Sequence, residues 1–282
     1  VPVALALLSS LLWGTSDFLG GTATRRLAAP VVVGVSQAVA LLLLVAPAVL
    51  LGARPDSLRS GVAAGLVGVL ALGAFYAALA AGTMGVVAPI AALGALLPVA
   101  VGLLRGEAPS GLQAAGIAVA VAGVVLASGP ELTGGASSRP LLLACAAAVG
   151  FGTVAILLAD GSKGPQGAVL VTLLVMRTTS VGALALVLLV ARTRGAAAGR
   201  LPAGLSADLP LLAAIGIGDV GANAAFAVAT RGALLSVVSV LASLYPVVTV
   251  LLARQVHGER LRPVQVVGAL ATLGGVALLA AG

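Results

Sequence analysis

Charge is scarce in this chain. Asp, Glu, Lys and Arg together make up 8% of its 282 residues, where a soluble domain carries about 25%. So few charges cannot cover the surface of a water-soluble globule, but they suffice for the loops of a protein whose sides face lipid. Aromatic residues, at 2%, are too few to build the stacking surfaces of a nucleic-acid binder. Cys145 is the only cysteine, so no intramolecular disulfide forms and the redox compartment stays open. His257 is the only histidine and has no ligand cluster, so no metal is expected. With His257 as the only histidine, a hydrolase of the Ser/His/Asp type is not expected. A membrane-embedded enzyme or a lipid-handling protein would need such a cluster near one interface. The expectation is no catalytic residue and no cofactor.

What is present is apolar. Hydrophobic residues make up 61% of the chain, Gly contributes 38 positions, and the mean hydropathy is +1.22. Abundant Gly and Ala suit helices that pack closely in lipid. The net charge of +7 does not indicate nucleic acid, because the arginines stand singly or in pairs between apolar runs, where they meet lipid headgroups. A spanning helix needs about 20 mostly apolar residues. Ten such runs are cut by Gly, Pro and Arg: 3–22, 30–51, 61–81, 84–104, 111–128, 141–159, 166–191, 209–229, 233–253 and 263–281. Continuous rather than alternating apolarity excludes a β-barrel. The fold class is therefore all-α and polytopic, with short loops and no soluble domain. The first run passes through Trp13 and Asp17 without an A-x-A-type site, so no cleavable signal peptide is expected.

An internal repeat is visible. Arg105-Gly106-Glu107-Ala108-Pro109 resembles His257-Gly258-Glu259-Arg260-Leu261-Arg262-Pro263. Gln113, Gly116 and Gly123 recur at a constant offset as Gln265, Gly268 and Gly275. Leu97-Pro98-Val99 recurs as Tyr245-Pro246-Val247, and Trp13-Gly14-Thr15 as Phe151-Gly152-Thr153. The chain divides into five-helix halves at 1–128 and 140–282, joined by a polar linker at 129–139. Five is odd, so halves that share a fold must be inserted in opposite senses, as two inverted repeats.

These duplicated motifs resemble the EamA family of the drug/metabolite transporter superfamily, and the resemblance covers essentially the whole chain. It implies ten spanning helices, both termini cytoplasmic, and a multi-pass permease of the inner (plasma) membrane. It further implies export of amino acids or other small metabolites; organic cations are a further candidate because Trp13 can stack on a cation, and the inverted repeats lead to the expectation of alternating access. The partners expected are a small-molecule substrate and the lipid bilayer, with the chain a monomer or weak homodimer, and protons enter as a candidate coupling ion from the charge count below. The alternative within transport is a passive facilitator or channel. One departure stands out: family members often carry Arg early in the second helix as well as the seventh, and here Gln37 takes the first place while Arg177 keeps the second. The loop arginines also pull against the resemblance. With the termini inside, the cytoplasmic loops carry Arg54, Arg59, Arg105, Lys163 and Arg231. The opposite loops carry Arg25, Arg26, Arg139, Arg192, Arg194, Arg200, Arg254, Arg260 and Arg262, which the positive-inside rule would place inside.

Ionisable residues within the runs are Asp17, Arg177 and Asp219. A charge near the bilayer centre costs at least a few kcal/mol, so these should face the bundle interior. Arg177 and Asp219 lie near the middle of their runs, where they can pair at one depth. Asp17, nearer the end of its run, can also meet headgroup water or Arg25 and Arg26. Two acids against one base leave one carboxyl without a fixed partner, the minimum equipment for proton coupling. Asn223 follows Asp219 by four residues and shares its face, as Trp13 shares that of Asp17. Gln37, Tyr76 and Tyr245 complete the candidate translocation set, although the two tyrosines read equally as interface anchors or core. Pro89, Pro98 and Pro246 free carbonyls inside the fourth and ninth runs, either lining a cavity or merely kinking the helix. Gly216-Ile217-Gly218-Asp219-Val220-Gly221 matches a dinucleotide fingerprint only in letters, because it lies in an apolar helix rather than after a strand.

Overall fold

The computed structural model describes residues 1–51, 58–82, 84–128, 138–164, 167–193, 205–257 and 263–281. Every regular element among them is helical, and no strand occurs. In chain order the helices are α1 (Pro2–Ala23), α2 (Ala29–Leu50), α3 (Leu58–Ala81), α4 (Met84–Ala92), a 3-10 turn (Leu93–Ala95), α5 (Leu96–Leu104), α6 (Gly111–Ser128) and α7 (Ser138–Gly161). They continue with α8 (Ala168–Thr193), α9 (Leu205–Ala229), α10 (Leu235–Ala242), α11 (Tyr245–His257) and α12 (Pro263–Ala281). Most of the 129–139 linker, at 129–137, lies outside the described residues, as do Arg54, Arg194, Arg200, Glu259, Arg260 and Arg262.

Among the described residues, eight segments are long and apolar enough to cross a membrane: α1, α2, α3, Val87–Leu104, α7, Ala168–Val190, α9 and Leu235–Val256. Large apolar side chains such as Leu42, Leu70 and Leu104 stand exposed on their outer faces, a pattern suited to lipid contact. The multi-pass membrane reading therefore holds. The interior is built chiefly from Ala, Val, Leu and Gly.

Two of the expected helices are broken. The run 84–104 is interrupted by the 3-10 turn, and the run 233–253 by a turn at Ser243 and Leu244. The cause is local. A proline ring clashes with the carbonyl four residues earlier and offers no N–H to it. For Pro98 that residue is Gly94, inside the turn, and for Pro246 it is Ala242, the last residue of α10. Pro89 lies within α4 without interrupting it.

The Arg105-Gly106-Glu107 motif is a connector, while residues 258–262 of its counterpart lie outside the described residues. Gly106 turns the chain with φ +87°, a conformation that suits glycine. Ser110 and Gln113 then cap α6 reciprocally: the Ser110 N–H donates to Gln113 Oε1 at 3.0 Å and the Gln113 N–H to Ser110 Oγ at 3.1 Å, a capping box. The Glu107 carboxylate reaches across to the second half. It accepts hydrogen bonds from the Leu235 and Ser236 backbone N–H groups at 2.7 and 2.9 Å, satisfying free donors at the start of α10.

The helices of the two halves interleave. α1 packs on α9 and α11, α3 on α7 and α8, α2 on α8 and α9, and α6 along α12. Many of these contacts come in matched pairs. A Cβ on Gly65 would run into the Met176 carbonyl, and one on Gly216 into the Ser36 carbonyl.

Candidate functional site

The duplicated aromatic-Gly-Thr motif shows how the site is made. Gly14 lies against the Tyr245 carbonyl and Gly152 against the Gly94 carbonyl. In each half, therefore, a glycine lets a first helix approach the broken helix of the other half. The threonines bond back to the carbonyls four residues earlier, Thr15 Oγ1 to Leu11 O and Thr153 Oγ1 to Val149 O, both at 2.8 Å. The aromatic residue of each motif, Trp13 or Phe151, then faces a common cavity. Trp13 packs on Phe226 with ring centroids 5.8 Å apart, and Phe151 packs on Phe75 at 5.4 Å.

That cavity holds about 850 Å³ of atom-free space, its open mouth included. α1, α2, α3, α7, α8, α9 and both broken helices contribute to its wall. Of the eight residues singled out in the sequence, Trp13, Asp17, Gln37, Arg177, Asp219, Asn223 and Tyr245 line it. Tyr76 does not. It is 1% exposed, with its ring against Gly20 and its centroid 5.9 Å from that of Phe75. It belongs to the packed layer behind the wall.

Four polar residues form one network. Arg177 Nη2 lies 2.9 Å from Asp219 Oδ2. This is an ion pair off the hydrogen-bonding line, since Nη2 and Nε both lack an aligned acceptor. Arg177 Nη1 donates a short hydrogen bond to Gln37 Oε1. Gln37 Nε2 donates in turn to Asp219 Oδ2 at 3.0 Å, and Asn223 Nδ2 to Asp219 Oδ1 at 2.9 Å. Asp219 is thus the acid that Arg177 neutralises, and Gln37 bridges the pair. The group is self-contained and formally neutral.

Asp17 stands apart. It lines the cavity, is 7% exposed, and makes no ion pair or hydrogen bond among the described residues. Two further wall groups are buried without partners, the Tyr245 hydroxyl and Ser239 Oγ. Ser239 escaped the sequence reading because a serine within an apolar helix commonly bonds its own backbone. Phe226 was legible in principle, since it lies two turns beyond Asp219 on the Asn223 face. Among the described residues no group of His, Cys, Asp or Glu could hold a metal.

No curated protein matches the sequence. A solved structure described only as "Crystal structure of protein" shares the fold with a TM-score of 0.72 at 20% identity, over 98% of this chain and 95% of that one. The model of the EamA-like transporter family matches twice, over residues 1–129 and 138–281. The chain belongs to the EamA-like transporter family, within the drug/metabolite transporter superfamily.

Proposed function

We propose that the chain is a secondary transporter that exports small metabolites, amino acids or organic cations among them, by alternating access coupled to protons. Its architecture on this reading is ten spanning helices in two inverted repeats, 1–128 and 140–282, joined at 129–139, as a monomer or weak homodimer in the inner plasma membrane. The double family match and the paired glycine contacts support the repeats. Substrate is held by Trp13, Asp17, Gln37, Arg177, Asp219, Asn223 and Tyr245, with Tyr76 as a second-layer support.

The observation that carries the reading is the buried, unpartnered Asp17 on the wall of a cavity between the two matched halves. A carboxylate kept from water without a counter-charge is costly. Binding a proton or a substrate cation relieves that cost, so the two exclude each other. Alternating exposure of one such carboxyl converts a proton gradient into solute movement. The test is flux of amino acids and organic cations in proteoliposomes, with and without an imposed pH gradient. Wild-type flux should follow the gradient, Asp17→Asn flux should ignore it, and wild-type flux that ignores it makes the protein a facilitator.

A further inference from the structure

Among the described residues, Asp17, Arg177 and Asp219 are the charged ones on the cavity wall, two acids and one base. Gln37 decides how the charges are shared. Among the described residues its amide is the one wall group that touches both members of the ion pair, accepting from Arg177 and donating to Asp219. It also holds a matching place to Arg177. Ser36 and Met176, the residues just before them, present their carbonyls to Gly216 and Gly65 in equivalent contacts. A cation at both places would balance both acids. With a neutral amide at one of them, Arg177 is committed to Asp219 and Asp17 is left over.

We infer that Gln37 is the residue that sets the charge preference of the cavity, making it a site for ring-bearing monocations whose primary ammonium engages Asp17. The inference rests on the transport cavity described above. A primary ammonium has three N–H donors and no acceptor. The wall offers the Asp17 carboxylate, and two buried, partnerless hydroxyls, those of Tyr245 and Ser239, belong to residues of the same wall. The last two lie on α11 and α10, both packed against α1. Trp13 lies four residues from Asp17 on one helix face, about 6 Å along the axis, which suits an aryl ring joined to its amine by a short chain. A carboxylate on the ligand meets no uncompensated cation among the described wall residues, because the charge of Arg177 is already balanced by Asp219.

Three probes of one skeleton separate the charges: phenethylamine, phenylalanine and 3-phenylpropionate. Binding is measured to the full chain in nanodiscs. The wild type should hold phenethylamine at least tenfold more tightly than phenylalanine, with 3-phenylpropionate weakest. Asp17→Asn should erase that order, and Gln37→Arg should reverse it in favour of the acids. Gln37→Glu, nearly the same shape, should increase the preference for the amine and keeps the test available if the arginine variant fails to fold. Equal binding of the three probes by the wild type overturns the inference, as does an unchanged order in Asp17→Asn and Gln37→Glu. Absence of binding by every probe overturns it too. Flux of another solute by the same preparation would then leave the transport reading standing, whereas no flux of any solute removes both.

Discussion

Asp219 shows what a buried charge depends on in this molecule. Its carboxylate receives Arg177, Gln37 and Asn223 together, and Arg177 is 2% exposed. Removing one member of a buried pair costs about 3–5 kcal/mol, because the other is left charged and alone. Asp219→Asn should therefore lower stability by that order in thermal unfolding of the protein in nanodiscs. Adding Arg177→Met should restore part of the loss, since neither charge then remains. A double variant no more stable than the single one would show that the pair is not what holds these helices. Much of this was legible in the sequence. Mid-run position brought Arg177 and Asp219 together, and four-residue spacing added Asn223. Gln37 entered the candidate set as a polar oddity, but its bridging role needed the third dimension. Tyr76 misled because its ring fills the space over Gly20, and no periodicity relates those two positions.

The broken helices and their connectors carry the next layer. Pro98 and Pro246 announced the interruptions, yet an apolar run reads the same whether it is one helix or two. Sequence alone therefore gave the runs without their breaks. Glu107 is a clearer test of element-level reasoning. It caps α10, a helix of eight residues, and a carboxylate at a helix N-terminus is worth about 1 kcal/mol. Glu107→Ala should lower Tm by roughly 2–4 °C, and Glu107→Gln by less, because the amide oxygen still accepts. Equal losses would point to side-chain packing instead. Gly152 tests the other kind of contact. A valine there has to displace the Gly94 carbonyl and Leu97, and overpacking of this sort costs typically 1–3 kcal/mol. Gly152→Val should fold less stably, with weaker ligand binding because the 3-10 turn moves with it. The exposed control Val149→Ala, on the outward side of the same helix, should change neither.

At the scale of the whole molecule, the helices of residues 1–128 find most of their partners in residues 138–281. α1 lies on α9, α3 on α7 and α8, and α6 on α12. The repeat was visible as duplicated motifs, but duplication does not say whether the copies stand side by side or interleave. The interleaving has a consequence for synthesis. A ribosome that has completed α6 has inserted helices whose polar faces are incomplete: Gln37 still awaits Arg177 and Asp219, and Asp17 the part of the cavity wall that the second half supplies. The early product must be sheltered until the later helices arrive, by a chaperone or within the insertion machinery itself. A chain stopped at residue 128 should be degraded rapidly in a pulse-chase experiment. Supplying residues 138–282 from a second message should rescue it, and a first half that persists alone would show that its helices have found partners within their own number.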